Sequence, residues 1–145
     1  MRRMWGWKRS SNSPRRRGAA LVEFAVVTPV LLAILFGIME FGQLFRVRQT
    51  AQHAAREGCR LAVLQSTAKP YSSSSSPVYQ RISEIMTAGG VAFSGGMLSI
   101  TEDTPGNPTV SVTITVPYSD VSVTGFIGQV TENVSGTCSM RKEGV

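Results

Sequence analysis

The 145-residue sequence has one histidine, two cysteines and no acidic residue in its first 18 positions. Each shortage closes off a class of chemistry. His53, between Gln52 and Ala54 on a predicted helix, leaves a metal site short of its three or four convergent ligands. Serine is abundant, yet no G-x-S-x-G run occurs and His53 is the sole imidazole base. The glycines of GGVAFSGG neither follow a strand nor open a helix as a phosphate-binding loop requires. Asp103 and Asp120 sit by turns, where a turn role is the default. No catalytic constellation assembles from these parts. The expectation is a protein that is not an enzyme, with no catalytic residue, no metal and no cofactor.

Charge is the second imbalance. Arg2, Arg3, Lys8, Arg9, Arg15, Arg16 and Arg17 stand unopposed at the N-terminus. From Ala19 onward eight basic residues meet nine acidic ones, so the basic character belongs to the first segment alone. No nucleic-acid-binding fold follows it, and the cluster abuts an apolar run; no nucleic-acid partner is expected. Basic residues beside a membrane span are a topology signal.

What is present is a long apolar stretch. Residues 24–39 carry no charge, and the run extends weakly from Ala19 to about Phe45. At about 1.5 Å per residue, residues 19–45 make a helix of roughly 40 Å, enough for a hydrocarbon core of about 30 Å. The uncharged centre alone reaches only about 24 Å, so Glu23 or Glu40 lies near an interface. The run is longer than a secretory h-region and passes into FGQLFRVRQ without a small-x-small site, which favours a retained anchor in the lipid bilayer. Seven upstream basic residues against Arg46 and Arg48 put the N-terminus in the cytoplasm and the rest outside. Pro29 reads as an ordinary bend within the span. Glu40 is expected to pair with Arg46 or Gln43.

Beyond the span, VRQTAQHAAREGCRLAVLQ keeps a helical period, with Val47, Ala51, Ala54, Gly58 and Leu61 or Ala62 on one face. Small residues there permit close approach of another element. KPYSSSSSPVYQ reads as a flexible connector or exposed loop. PVYQRISEIMTAGG reads as a short helix ended by Gly89 and Gly90. MLSITED is a predicted strand and TPGNP a turn. TVSVTITVPYS alternates Val110, Val112, Ile114 and Val116, the clearest strand in the chain, ended by Pro117. Residues 119–130 are ambiguous, and VSGTCSMRKE is a last strand. The expected fold class is α+β: a long N-terminal helix packed with a small antiparallel sheet. The segments expected are a basic leader at 1–18, a transmembrane helix at 19–45, its extension at 46–66 and an extracytoplasmic domain at 67–145. Cys59 and Cys138 both fall outside the membrane, where they either form a disulfide or stand as two buried thiols.

RRRGAALVEFAVVTPVLLAILFGIMEFGQLF and AAREGCRLAV together resemble the TadE-like proteins, pilin-like components of the tight-adherence (Flp-type) pilus and secretion systems. The resemblance implies a prepilin leader cut after Gly18, so that Ala19 becomes the first mature residue, Glu23 the fifth and Phe24 the sixth. Tyrosine is common at that sixth position in the major pilin. The new Ala19 amine would lie about 6 Å along the helix from Glu23 and would neutralise it in the same chain or a neighbour. The alternative is that Glu23 snorkels to the headgroups. The implied partners are the prepilin peptidase, the major Flp-type pilin, other pseudopilins and the inner-membrane secretion platform; the implied location is the cytoplasmic membrane. The competing function is an anchored extracytoplasmic binding domain whose loops at 66–108 recognise a ligand.

Overall fold

The computed structural model describes residues 14–64, 69–122, 125 and 133–142, with side chains from Gly18 onward. The expected leader up to residue 13, the side chains of Arg15, Arg16 and Arg17, most of 119–130 and Glu143 lie outside the described residues. The chain divides into two units, Met1–Gly37 and Ile38–Val145.

The first unit is the beginning of helix α1, Pro14–Ala62. Its apolar side chains face outward: Leu21 and Phe24 are each 69% exposed, and Val30, Leu31 and Ile34 are similarly open. One window of this helix has a mean hydropathy of 2.4 with none of it buried, so it is long and apolar enough to cross a membrane. Helical structure runs through Pro29. Thr28 Oγ1 donates to the Phe24 carbonyl at 2.6 Å, the back-bonding by which Thr satisfies its hydroxyl in a helix.

The second unit combines the rest of α1 with helix α2 (Pro77–Ala88) and strands β1 (Leu98–Thr101), β2 (Thr109–Val116) and β3 (Val134–Arg141). The strands form one antiparallel sheet in the order β1-β2-β3. β2 buries Val110, Val112, Ile114 and Val116 on one face, as its alternation requires. Its other face carries Thr109, Ser111, Thr113 and Thr115, with Ser111 Oγ donating to Ser139 Oγ at 3.0 Å. Against the apolar face lie Val47, Ala51, Ala54, Ala55, Cys59 and Ala62 of α1 and Val78, Ile82 and Met86 of α2. The small-residue stripe sets how close these layers come. A Cβ on Gly136 of β3 would overlap the Ala51 backbone, and one on Gly58 would meet Ile82 Cδ1 at 2.7 Å. Glycine at 136 lets strand and helix backbones touch, and glycine at 58 leaves room for the Ile82 side chain.

The α2 boundaries follow local rules. Ser76 caps the N-terminus by accepting from the Val78 N–H at 3.3 Å, and Pro77 occupies the first turn, where its missing donor costs nothing. At the other end Gly90 takes φ +75°, and the buried Val91 donates to the Met86 carbonyl at 3.0 Å.

Three expectations need correction. The serine-rich 69–80 segment is not wholly an exposed connector. Tyr71 is fully buried, its N–H donates to Glu102 Oε1 at 2.8 Å and its hydroxyl to Asp103 Oδ1 at 3.1 Å. One aromatic side chain with two hydrogen bonds outweighs the disorder preference of its serine neighbours, and α2 begins within the same stretch. Asp103, expected to serve its own turn, instead braces that loop: Lys69 Nζ sits 2.9 Å from its carboxylate and Lys142 Nζ 4.0 Å. The helical extension, expected to reach 66, ends at Ala62, and residues 65–68 lie outside the described residues.

Candidate functional site

Gly18, Ala19, Glu23 and Phe24 all lie on α1 with their side-chain positions exposed. A Cβ on Gly18 would meet nothing within 4 Å, so the position is open. Ala19 and Glu23 are four residues apart and share a helix face one turn from each other. Among the described residues nothing pairs with the Glu23 carboxylate. It stands at the edge of an outward-facing apolar surface that runs through Leu31, Leu35 and Phe36.

Glu40 is arranged in the opposite way. Its neighbours Met39 and Phe41 are 49% and 58% exposed, whereas Glu40 itself is 3% exposed. The Tyr118 hydroxyl donates to Glu40 Oε1 at 2.8 Å, and the Ser122 hydroxyl donates to the same oxygen. Ser122 Oγ in turn accepts from the Gly125 N–H at 2.9 Å. Burial, followed by the adjacent Glu40 carboxylate, pushes the Tyr118 phenol above its ordinary range. This corrects the expected pairing of Glu40 with Arg46 or Gln43. Arg46 donates instead to the Gly89 carbonyl at 2.6 Å and to Gln43 Oε1 at 3.4 Å. The reason is geometric: Glu40 sits on the face of α1 that the turn Tyr118–Asp120 covers, so its carboxylate turns inward to that turn's hydroxyls. A buried carboxylate is tolerable only with donors of this kind. Sequence reasoning missed Tyr118 and Ser122, and only the polar run after Pro117 hinted at them.

A second polar contact locks α1 to the sheet edge. The Gln52 side-chain amide donates to the Thr137 carbonyl at 2.8 Å and its oxygen accepts from the Thr137 N–H at 3.3 Å. The amide thus takes the place of a further strand on the outer side of β3, satisfying edge groups that would otherwise invite another chain. The two cysteines do come together. Cys59 Sγ donates to the Cys138 carbonyl at 3.1 Å, and both thiols are free.

His53 lies at a surface groove of about 490 Å³, together with Thr50, Arg81, Glu84, Ile85, Ala88 and Gly89. Arg81 and Glu84 pair with each other there at 3.1 Å. Among the described residues no three His, Cys, Asp or Glu side chains gather as metal ligands would.

What the chain offers is therefore an exposed apolar helix, headed by a glycine and a carboxylate, on a helix whose continuation packs against a small sheet. No curated protein and no solved structure matches the chain. The family model described as TadE-like protein matches residues 18–60, which run from Gly18 through Glu23 and the exposed apolar run to the small-residue stripe, and over that helix the chain is similar to the family.

Proposed function

We propose that this chain is a minor pilin or pseudopilin that takes part in building a Flp-type pilus or secretion apparatus. The observation that carries the reading is the position of Glu23. It lies one turn after Ala19, at the start of an exposed apolar helix that falls within the TadE-like segment. A simple anchor has no need of a carboxylate there, since one within lipid costs about 2.5–3.5 kcal/mol on insertion scales at the bilayer centre.

In this account Arg15, Arg16 and Arg17 hold the leader in the cytoplasm, and the chain beyond the 19–45 span stands outside the membrane. A prepilin peptidase cuts between Gly18 and Ala19. The Ala19 ammonium then neutralises Glu23 in its own chain or in the next subunit, and Phe24 packs beside them. The apolar side chains that lipid covers in the membrane are covered in the apparatus by the helices of the major pilin and other pseudopilins. The secretion platform of the cytoplasmic membrane is where this exchange occurs. The protein's role is structural, with no reaction of its own.

The test is Glu23→Ala in cells carrying the whole apparatus. The substituted protein should reach the membrane in normal amount and lose its co-purification with the pilin components. Undiminished co-purification would overturn the reading.

A further inference from the structure

Cys59 is fully buried on α1 and Cys138 is half-buried on β3, and neither belongs to the exposed surface on which the assembly reading rests. Cys138 stands opposite Val112 in the register of the sheet and faces the same side as that buried valine. Two features press this part of β3 onto α1. Gly136 brings the strand against the Ala51 backbone, and Gln52 grips both backbone groups of Thr137. The Cys59 thiol consequently meets the Cys138 carbonyl at 3.1 Å, which brings the two cysteines side by side.

We propose that Cys59 and Cys138 are a redox modification site that closes to an intramolecular disulfide on reaction with a small-molecule or protein disulfide, stapling β3 to α1. The order of steps follows from exposure. Cys138 is the thiol that an incoming disulfide, R–S–S–R, can reach. Its thiolate attacks one sulfur, the Cys138–S–S–R bond forms, and R–S⁻ leaves and takes up the proton that Cys138 lost. Cys59 then attacks the Cys138 sulfur. The Cys59–Cys138 bond forms, the bond to R breaks, and a second R–S⁻ leaves with the proton from Cys59. The two protein thiols give up two electrons, and one R–S–S–R becomes two R–SH. The second step is the slow one. Burial, with the Cys138 thiol adding to it, pushes Cys59 up to about 12, and thiolate is the attacking form. The chemistry belongs to the thiol pair and stands whichever side of a membrane this unit occupies; the compartment decides only whether an oxidant is supplied.

The experiment uses the full-length reduced protein in detergent micelles, incubated with glutathione disulfide, quenched by alkylation and followed by intact mass. A single glutathione adduct should appear and then convert to a species lacking two hydrogens, with no alkylatable thiol, monomeric on a non-reducing gel and with a raised Tm. Cys59→Ala should stop at the single adduct, and Cys138→Ala should stay unmodified over the same time. The wild-type conversion needs no substitution, so it decides the matter even where a variant fails to fold. An adduct that never converts, a disulfide-linked dimer, no reaction, or Cys138→Ala reacting as fast as Cys59→Ala would each overturn the proposal.

Discussion

The Tyr118 hydroxyl donates to Glu40 Oε1 at 2.8 Å, joining residues 78 positions apart. Glu40 is turned inward between exposed Met39 and Phe41, so this contact and the Ser122 hydroxyl hold the segment after β2 on the helix. Removing the phenol oxygen takes one donor from a buried carboxylate, and hydrogen bonds to charged groups contribute about 1.5–3 kcal/mol. Tyr118→Phe should therefore lower the unfolding free energy by about that much, read by denaturant or thermal unfolding in micelles. Unchanged stability would mean that Glu40 does not depend on this donor.

Asp103 predicts a pH dependence. Lys69 beside it holds its carboxyl below the usual carboxylate range, with Tyr71 and Lys142 assisting against the opposing effect of partial burial. A carboxyl depressed in the folded state contributes stability above its unfolded pKa and loses it as pH falls through the folded one. Thermal stability should thus decline as pH drops below about 4. Lys69 is shifted upward, chiefly by the same ion pair, so its share is lost at the alkaline end as pH rises through its folded pKa, above the usual lysine range. Asp103→Asn should lower Tm at pH 7 and flatten the acid decline. A variant whose acid profile overlays the wild type would place the titrating group elsewhere.

Gly136 tests the helix–strand contact. A Cβ there overlaps the Ala51 backbone, which cannot swing aside as a side-chain tip can. Gly136→Ala should cost about 1–3 kcal/mol, the usual range for overpacking. Hydrogen exchange should show β3 amides less protected, Thr137 among them, because the strand must lift from Gln52. Full protection in that variant would show that the layers have room to spare.

Ile82 supports the same seam from α2, fully buried and against Gly58. Ile82→Ala should destabilise the unit by about 2–5 kcal/mol, since it removes core volume that fixed helices cannot refill. Equilibrium unfolding would register it, and a loss below the range of a surface substitution would contradict the packing described.

The features legible in the sequence were those with a local period. Val110, Val112, Ile114 and Val116 alternate, and Val47, Ala51, Ala54 and Ala62 recur at helical spacing; the structure buries all eight. The caps of α2 were equally local, in Pro77 and the Gly89–Gly90 pair. The contacts that escaped reading are those between distant residues: Glu40 with Tyr118, Gln52 with Thr137, and Tyr71 with Asp103. Each joins side chains that have no neighbour in sequence to announce the pairing. Tyr71 was hidden further by a serine run whose composition argues for exposure. In the N-terminal helix the reverse holds, since Gly18, Glu23 and the apolar run form a continuous local pattern.

The central claim is that Glu23 serves an amine created by processing, and N-terminal sequencing with intact mass of the membrane-extracted protein tests it most directly. The account predicts a mature chain beginning at Ala19 with a free amino group. A chain still carrying Arg15, Arg16 and Arg17 in cells that hold the peptidase and the rest of the apparatus would contradict it.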